Sequence, residues 1–295
     1  MHAAWGATLM IAAFLPTAAH AACEPSFGAG SNVVALTPAP SFENQRIEQR
    51  FQLEVRNSGD ELCTLRIGVG RDLAASDPNF PAYTLSSLAG TVPVLTLAGG
   101  DDSASSPGGV TVTVPANGRV LVPYDVRLDI GWGVEARTYE QELVFRLYPA
   151  DSQDELATQR TRLSLAVPTA ARIRFSGAGA SDGAPVLDMG ALSPIGRSVS
   201  PPFAIRVLST APYRVELVSE NRGQLRRVDG TELIPYRLSV GAQDLNLSGG
   251  GDFIRVPSHT GSTGNVHPVV IEIAPDPTRH AGNYSDRVTV TVSTF

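Results

Sequence analysis

Ala281-Gly282-Asn283-Tyr284-Ser285-Asp286-Arg287-Val288-Thr289-Val290-Thr291-Val292 is the stretch on which the fold turns. Its valines alternate with hydroxyl side chains, the period-two pattern of a strand with one face on a core and the other in water. A small-residue turn and a tyrosine lead into it. The same lead stands upstream at Ala136-Arg137-Thr138-Tyr139, again opening an alternating run, Glu142 to Leu147. After the upstream copy the chain turns at Pro149 to Asp154 and makes another strand, Leu156 to Val167. After the downstream copy it runs to Phe295 with no further strand pattern. Two similar units that differ by one final strand are therefore expected.

Working outward, alternation recurs at Phe51 to Val55, Leu62 to Val69, Val110 to Val114, Val120 to Ile130, Arg162 to Val167 and Tyr213 to Val218. Between these runs lie turn clusters such as Asn57-Ser58-Gly59-Asp60, Pro115-Ala116-Asn117-Gly118 and Val228-Asp229-Gly230, whose residues supply turn geometry. The 28 glycines and 22 prolines break up long helices, and no helical periodicity stands out beyond the first residues. Weak internal repeats support a duplication: Phe51 to Val55 parallels Phe203 to Val207, and Pro81 to Ser86 parallels Pro235 to Ser239. The expectation is an all-β chain of two tandem immunoglobulin-like β-sandwiches, residues 23–168 and 169–295, the second lacking its last strand.

Composition removes several function classes. The chain contains no lysine, so all 23 basic residues are arginine; phosphate-loop, Schiff-base and kinase-type lysine chemistry is excluded. A net charge of −6 argues against a nucleic-acid partner. Residues 1–22 read as a signal peptide, with the apolar run Trp5 to Leu15 and the small-x-small pattern Ala19-His20-Ala21; an N-terminal membrane anchor is the alternative. Export gives the two cysteines a meaning. Cys23 and Cys63 are an even pair in an oxidising compartment and are expected to form one structural disulfide.

A sandwich without its last strand exposes a hydrophobic groove and an unpaired edge, and the physical remedy is a strand from another polypeptide. Ile173 and Phe175 share one face of the first strand of the second unit, and Val288, Val290 and Val292 share one face of its last. These five are the expected lining of the acceptor groove.

The closing stretch resembles the C-terminal signature of spore coat protein U domains, which are similar to pilins of archaic chaperone–usher systems. Leu187-Asp188-Met189-Gly190 and Ile234-Pro235-Tyr236-Arg237-Leu238 resemble further elements of that family. The resemblance covers residues 171–295 well and residues 23–168 loosely. It implies a non-enzymatic subunit of a pilus or surface fibre, exported through the periplasm to the cell surface. The implied partners are a periplasmic chaperone, an outer-membrane usher, a neighbouring subunit that donates a strand, and a surface or host ligand. The two-domain layout is that of the family's tip adhesins. A coat or fibre-body protein without a binding role, and a secreted carbohydrate-binding module, are the alternatives. A body subunit needs a free apolar extension to donate, whereas here Cys23 stands at the start of the expected mature chain.

Other constellations are weak. His259, His267 and His280 lack a ligand spacing, Ser258-His259 with Asp276 lacks a nucleophile elbow, and Asp101-Asp102 supplies too few oxygens for calcium. No catalytic residue, metal or cofactor is expected. For surface contact, counting strand directions places the turn Leu88 to Val94 at the pole away from the linker, with Leu88, Val92 and Val94 as apolar candidates. If the count flips, Phe80 and Trp132 take that place.

Overall fold

The computed structural model describes residues 23–30, 32–39, 42–43, 45–87, 95–97, 109–179 and 184–295. The expected leader, Leu88, Val92, Val94 and the Asp101-Asp102 pair lie outside the described residues. The architecture is all-β, and among the described residues there is no α-helix.

Among the described residues the first sandwich uses the strands β1 Pro25–Phe27, β2 Val33–Leu36, β3 Gln45–Asn57, β4 Cys63–Asp72, β5 Tyr83–Ser87, β6 Leu95–Leu97, β7 Val110–Val114, β8 Arg119–Ile130, β9 Thr138–Pro149 and β10 Ala157–Ala166. One sheet has the order β1-β3-β8-β5-β6 and the other β2-β10-β9-β4-β7. Their inward faces carry the alternating residues read from the sequence: Leu53 and Val55 of β3, Leu65 and Ile67 of β4, and Leu143, Phe145 and Leu147 of β9 are all buried. Strand β10 lies antiparallel to β9 and parallel to β2, so this sandwich supplies its own final strand.

The second sandwich uses β11 Ala171–Gly177, β12 Ser198–Val199, β13 Phe203–Ser209, β14 Tyr213–Ser219, β15 Gln224–Arg227 and β16 Leu233–Pro235. It continues with β17 Arg237–Val240, β18 Gln243–Leu245, β19 Gly251–Val256, β20 Asn265–Ile273, β21 Tyr284–Ser285 and β22 Val288–Thr294. Its larger sheet runs β11-β13-β20-β17-β18, with β12 added alongside β20. This order matches β1-β3-β8-β5-β6 strand for strand. The facing sheet is β19-β14-β22, which matches β7-β4-β9 and then stops; β15, β16 and β21 form a small separate sheet. Among the described residues, the second sandwich has no counterpart of β10 or β2.

Two tyrosines fix this correspondence independently. The Tyr139 hydroxyl donates to the Glu135 carbonyl at 2.9 Å, and the Tyr284 hydroxyl donates to the His280 carbonyl at 2.9 Å. A tyrosine whose hydroxyl bonds back to the main chain a few residues upstream marks the start of the penultimate strand in immunoglobulin-like sandwiches. Strands β9 and β22 are therefore equivalent, and the position beside β22 is the one β10 fills in the first sandwich.

Candidate functional site

The slot left by the absent strand is bounded by β11 on one sheet and β22 on the other. These two strands approach each other without hydrogen-bonding. Its floor is Ile205 and Val207 of β13 with Val215 and Leu217 of β14, all fully buried. Ile173 and Phe175 of β11 and Val288, Val290 and Val292 of β22 face this core but remain only partly buried. The rings of Phe175 and Phe203 stack at 5.7 Å.

Counting from the two tyrosines, Val288, Val290 and Val292 correspond to Leu143, Phe145 and Leu147. The latter three are 0% exposed, because β10 covers them. The half-exposure of the valines is what the same position looks like without that cover. Arg172, Arg174, Thr289 and Thr291 point the other way and are exposed, so on β11 and on this part of β22 the apolar side chains share the slot face.

Asp286, read in the sequence only as part of a motif, is a structural knot at one end of β22. Its Oδ2 accepts from the Ser219 and Tyr236 hydroxyls, each at 2.6 Å. Its Oδ1 accepts from the main-chain N–H groups of Asn221 at 3.0 Å and Arg287 at 2.8 Å. Burial, reinforced by that carboxylate, pushes the Tyr236 hydroxyl well above its ordinary value. At the other end of the core, Asn265 Nδ2 donates to the Tyr213 hydroxyl at 3.0 Å, and that hydroxyl meets His267 Nε2 at 2.9 Å. Desolvation lowers the His267 pKa.

His267 is thus a part-buried side chain tied to Tyr213, and the three histidines do not gather: among the described residues no metal-competent cluster occurs. Asp276 spends Oδ1 on the N–H and hydroxyl of Thr278, at 2.8 and 2.7 Å, so it caps a turn. Cys23 and Cys63 are joined, with Cα atoms 5.6 Å apart.

No protein-family model and no curated protein matches the sequence. Among solved structures, the chain is similar to the chaperone–tip adhesion subunit pre-assembly complex of archaic Csu pili from Acinetobacter baumannii (16% identity, 92% of this chain and 99% of that chain, TM-score 0.38). It is also similar to the CupB6 tip adhesin of Pseudomonas aeruginosa (10% identity, 91% and 92%, TM-score 0.39). A third is the CFA/I adhesin CfaE of enterotoxigenic E. coli (12% identity, 96% and 84%, TM-score 0.38). At these scores the likenesses carry no functional inference.

The two poles of the first sandwich are now distinguishable. Ala166 pairs with Thr138 and Gln45 with Ile130, so the loops after Ile130 and Asp72 lie at the pole from which the chain leaves for the second sandwich. Phe80 and Trp132 sit in those loops. Both are partly buried against the core, Phe80 edge-on to Tyr83 at 5.5 Å and Trp132 edge-on to Phe42 at 5.3 Å. They plug the linker-side end, which corrects the flipped count that put them at the free pole. Strand β5 runs from Tyr83, opposite Leu128, to Ser87, opposite Tyr124, that is, away from the linker.

Asn57, read in the sequence only as the first residue of a turn cluster, organises the free pole. Asn57 is 2% exposed; its Oδ1 accepts from Glu24 N and Gly59 N, and its Nδ2 donates to the Glu61 and Pro115 carbonyls at 2.7 and 3.1 Å. Its only sequence signal was the Ser58-Gly59 turn that follows it.

Proposed function

We propose that this protein is a non-enzymatic, exported subunit of a chaperone–usher-type surface fibre, with its second sandwich completed by a strand from another polypeptide. The carrying observation is the one-strand gap between β11 and β22, lined by Ile173, Phe175, Val288, Val290 and Val292 at half-exposure. An unpaired edge beside exposed apolar surface calls for strand addition. The first sandwich serves as template: β10 is antiparallel to β9, so the incoming strand runs antiparallel to β22, with its inward residues alternating. During export a periplasmic chaperone supplies that strand, and after the outer-membrane usher the neighbouring subunit does.

The finer reading is a tip adhesin. Strands β1 and β2 are hydrogen-bonded to β3 and β10, and Cys23 is tied to Cys63. Residues 25–27 and 33–36 therefore accept neighbours within their own sandwich and are not free to complete another one. A subunit that accepts a strand and donates none belongs at a fibre end. Its free pole, toward which β5 runs, would then meet the surface, with Leu88, Val92 and Val94 as the apolar contacts of a biofilm-type attachment.

The test places a photo-crosslinking amino acid at position 290 in the cell that makes the protein. Capture of a second polypeptide through an alternating apolar segment is expected; no capture overturns the reading. Val290→Asp puts a carboxylate under the incoming strand and should cut the exported yield at least tenfold. Thr291→Asp, one residue on and outward-facing, should leave it unchanged. Equal yields from the two variants would contradict the groove.

A further inference from the structure

Tandem domains joined by a short linker ordinarily move relative to one another unless their contact is extensive. Here the linker is held at Pro168 and at Ala170. The Thr210 hydroxyl accepts from Ala170 N at 2.8 Å and donates to the Pro168 carbonyl at 2.9 Å, while Thr210 N donates to the Ala170 carbonyl at 3.0 Å. The remaining main-chain group of Thr210, its carbonyl, accepts from Ala136 N of the first sandwich at 2.6 Å. On the near side, Val167 N donates to the Arg137 carbonyl at 3.0 Å. One threonine in the turn between β13 and β14, itself part of the second sandwich, thus bonds both the linker and the first sandwich.

The surroundings are built to match. Ser209, Thr210 and Thr260 are each 0% exposed. Ser209 N donates to Thr260 Oγ1 at 2.9 Å, and Thr260 N donates to the Ser209 carbonyl at 2.9 Å. A buried polar network with its groups satisfied specifies one geometry, since any displacement strands groups that cannot reach water. Gly133, at φ +107°, lets the loop 131–137 lie on the second sandwich; a Cβ there would stand 2.9 Å from Ser262 N. Glu43 and Arg172 add an ion pair across the junction. Arg137, which anchors the same loop, is fixed by Asp77 and stacks 4.0 Å over the Tyr139 ring.

We infer that Thr210 and the Gly133 contact lock the two sandwiches into one rigid body, so the chain has no hinge at residues 168–170. A contact made at the free pole is then transmitted to the second sandwich without reorientation. This does not depend on what fills the groove.

The test is backbone residual dipolar couplings on the isotopically labelled full chain, as isolated with its disulfide intact. Amides of β3, β8 and β9 and those of β13, β14 and β20 should fit one common alignment tensor. Thr210→Val removes the hydroxyl bonds at nearly unchanged shape, and Gly133→Val drives a side chain into Ser262. Either change should split the fit into two tensors of different orientation or magnitude, with each sandwich's own couplings still fitting its own structure. Two tensors in the unmodified protein would overturn the inference, as would a single unchanged tensor in both variants.

Discussion

Asp286, part-buried, and Tyr124, fully buried, show how differently two polar side chains act. Asp286 is fully engaged by four donors, so Asp286→Ala leaves the Ser219 and Tyr236 hydroxyls without an acceptor. A loss of about 2–3 kcal/mol in second-sandwich stability is expected by denaturant unfolding. Tyr124 packs its ring between Phe51 and Phe145, but its hydroxyl, like that of Tyr83, is buried with no hydrogen-bond partner among the described residues. Tyr124→Phe should therefore be neutral or stabilising by about 1 kcal/mol. The same burial raises both tyrosine pKa values above the ordinary 10.0. Because the folded state holds these protons more tightly than the unfolded chain, stability is intact below pH 10 and falls as pH rises beyond it. The slope is about 1.4 kcal/mol per pH unit for each. Alkaline unfolding monitored by denaturant midpoint should be shallower in Tyr124→Phe; an unchanged slope would contradict the assignment.

At the scale of elements, the contrast is between β10 and its absence. Leu163 and Leu165 of β10 are 0% exposed and seal the first sandwich, whereas nothing in the described chain does so beside β22. Amide hydrogen exchange should reflect this: without an added strand, the amides of β22 that do not face β14 exchange fast, while those of β9 are protected on both edges. Addition of a strand should protect β22 selectively. The first residues of the first sandwich are held by a covalent link as well as by pairing. Cys63→Ser opens a loop with a sequence separation of 40 and should cost the first sandwich about 2–4 kcal/mol.

For the molecule as a whole, two hydrophobic clusters with no shared residue imply two cooperative units. Calorimetry should resolve two transitions, one lowered by reduction of Cys23–Cys63 and the other raised by a polypeptide bound in the groove. Reduction that moves both transitions equally would show that the junction couples stability as well as orientation. Charge is divided between the units too: residues 23–168 carry 18 acidic residues against 11 arginines, and residues 169–295 carry 11 against 12. Contact with an anionic surface through the first sandwich is thus electrostatically disfavoured at low salt, which suits an apolar contact better than a charged one.

The strands, the duplication and the disulfide partners were legible in the amino-acid sequence, for a local reason. Alternation at Val288, Val290 and Val292 encodes a face, and a repeated Ala-x-x-Tyr lead encodes an equivalent place in a second copy. What lay beyond reach was everything set by which strand ends meet. Phe80 and Trp132 are apolar residues in loops, and only the pairing of Ala166 with Thr138 and of Gln45 with Ile130 places them at the linker pole. Asn57, Asp286 and Thr210 are ordinary polar residues at turns. Their importance comes from partners as far as 67 residues away for Asp286 and farther still for Thr210, which meets Ala136, brought together by the closing of two sheets, and no local pattern records a bond of that kind.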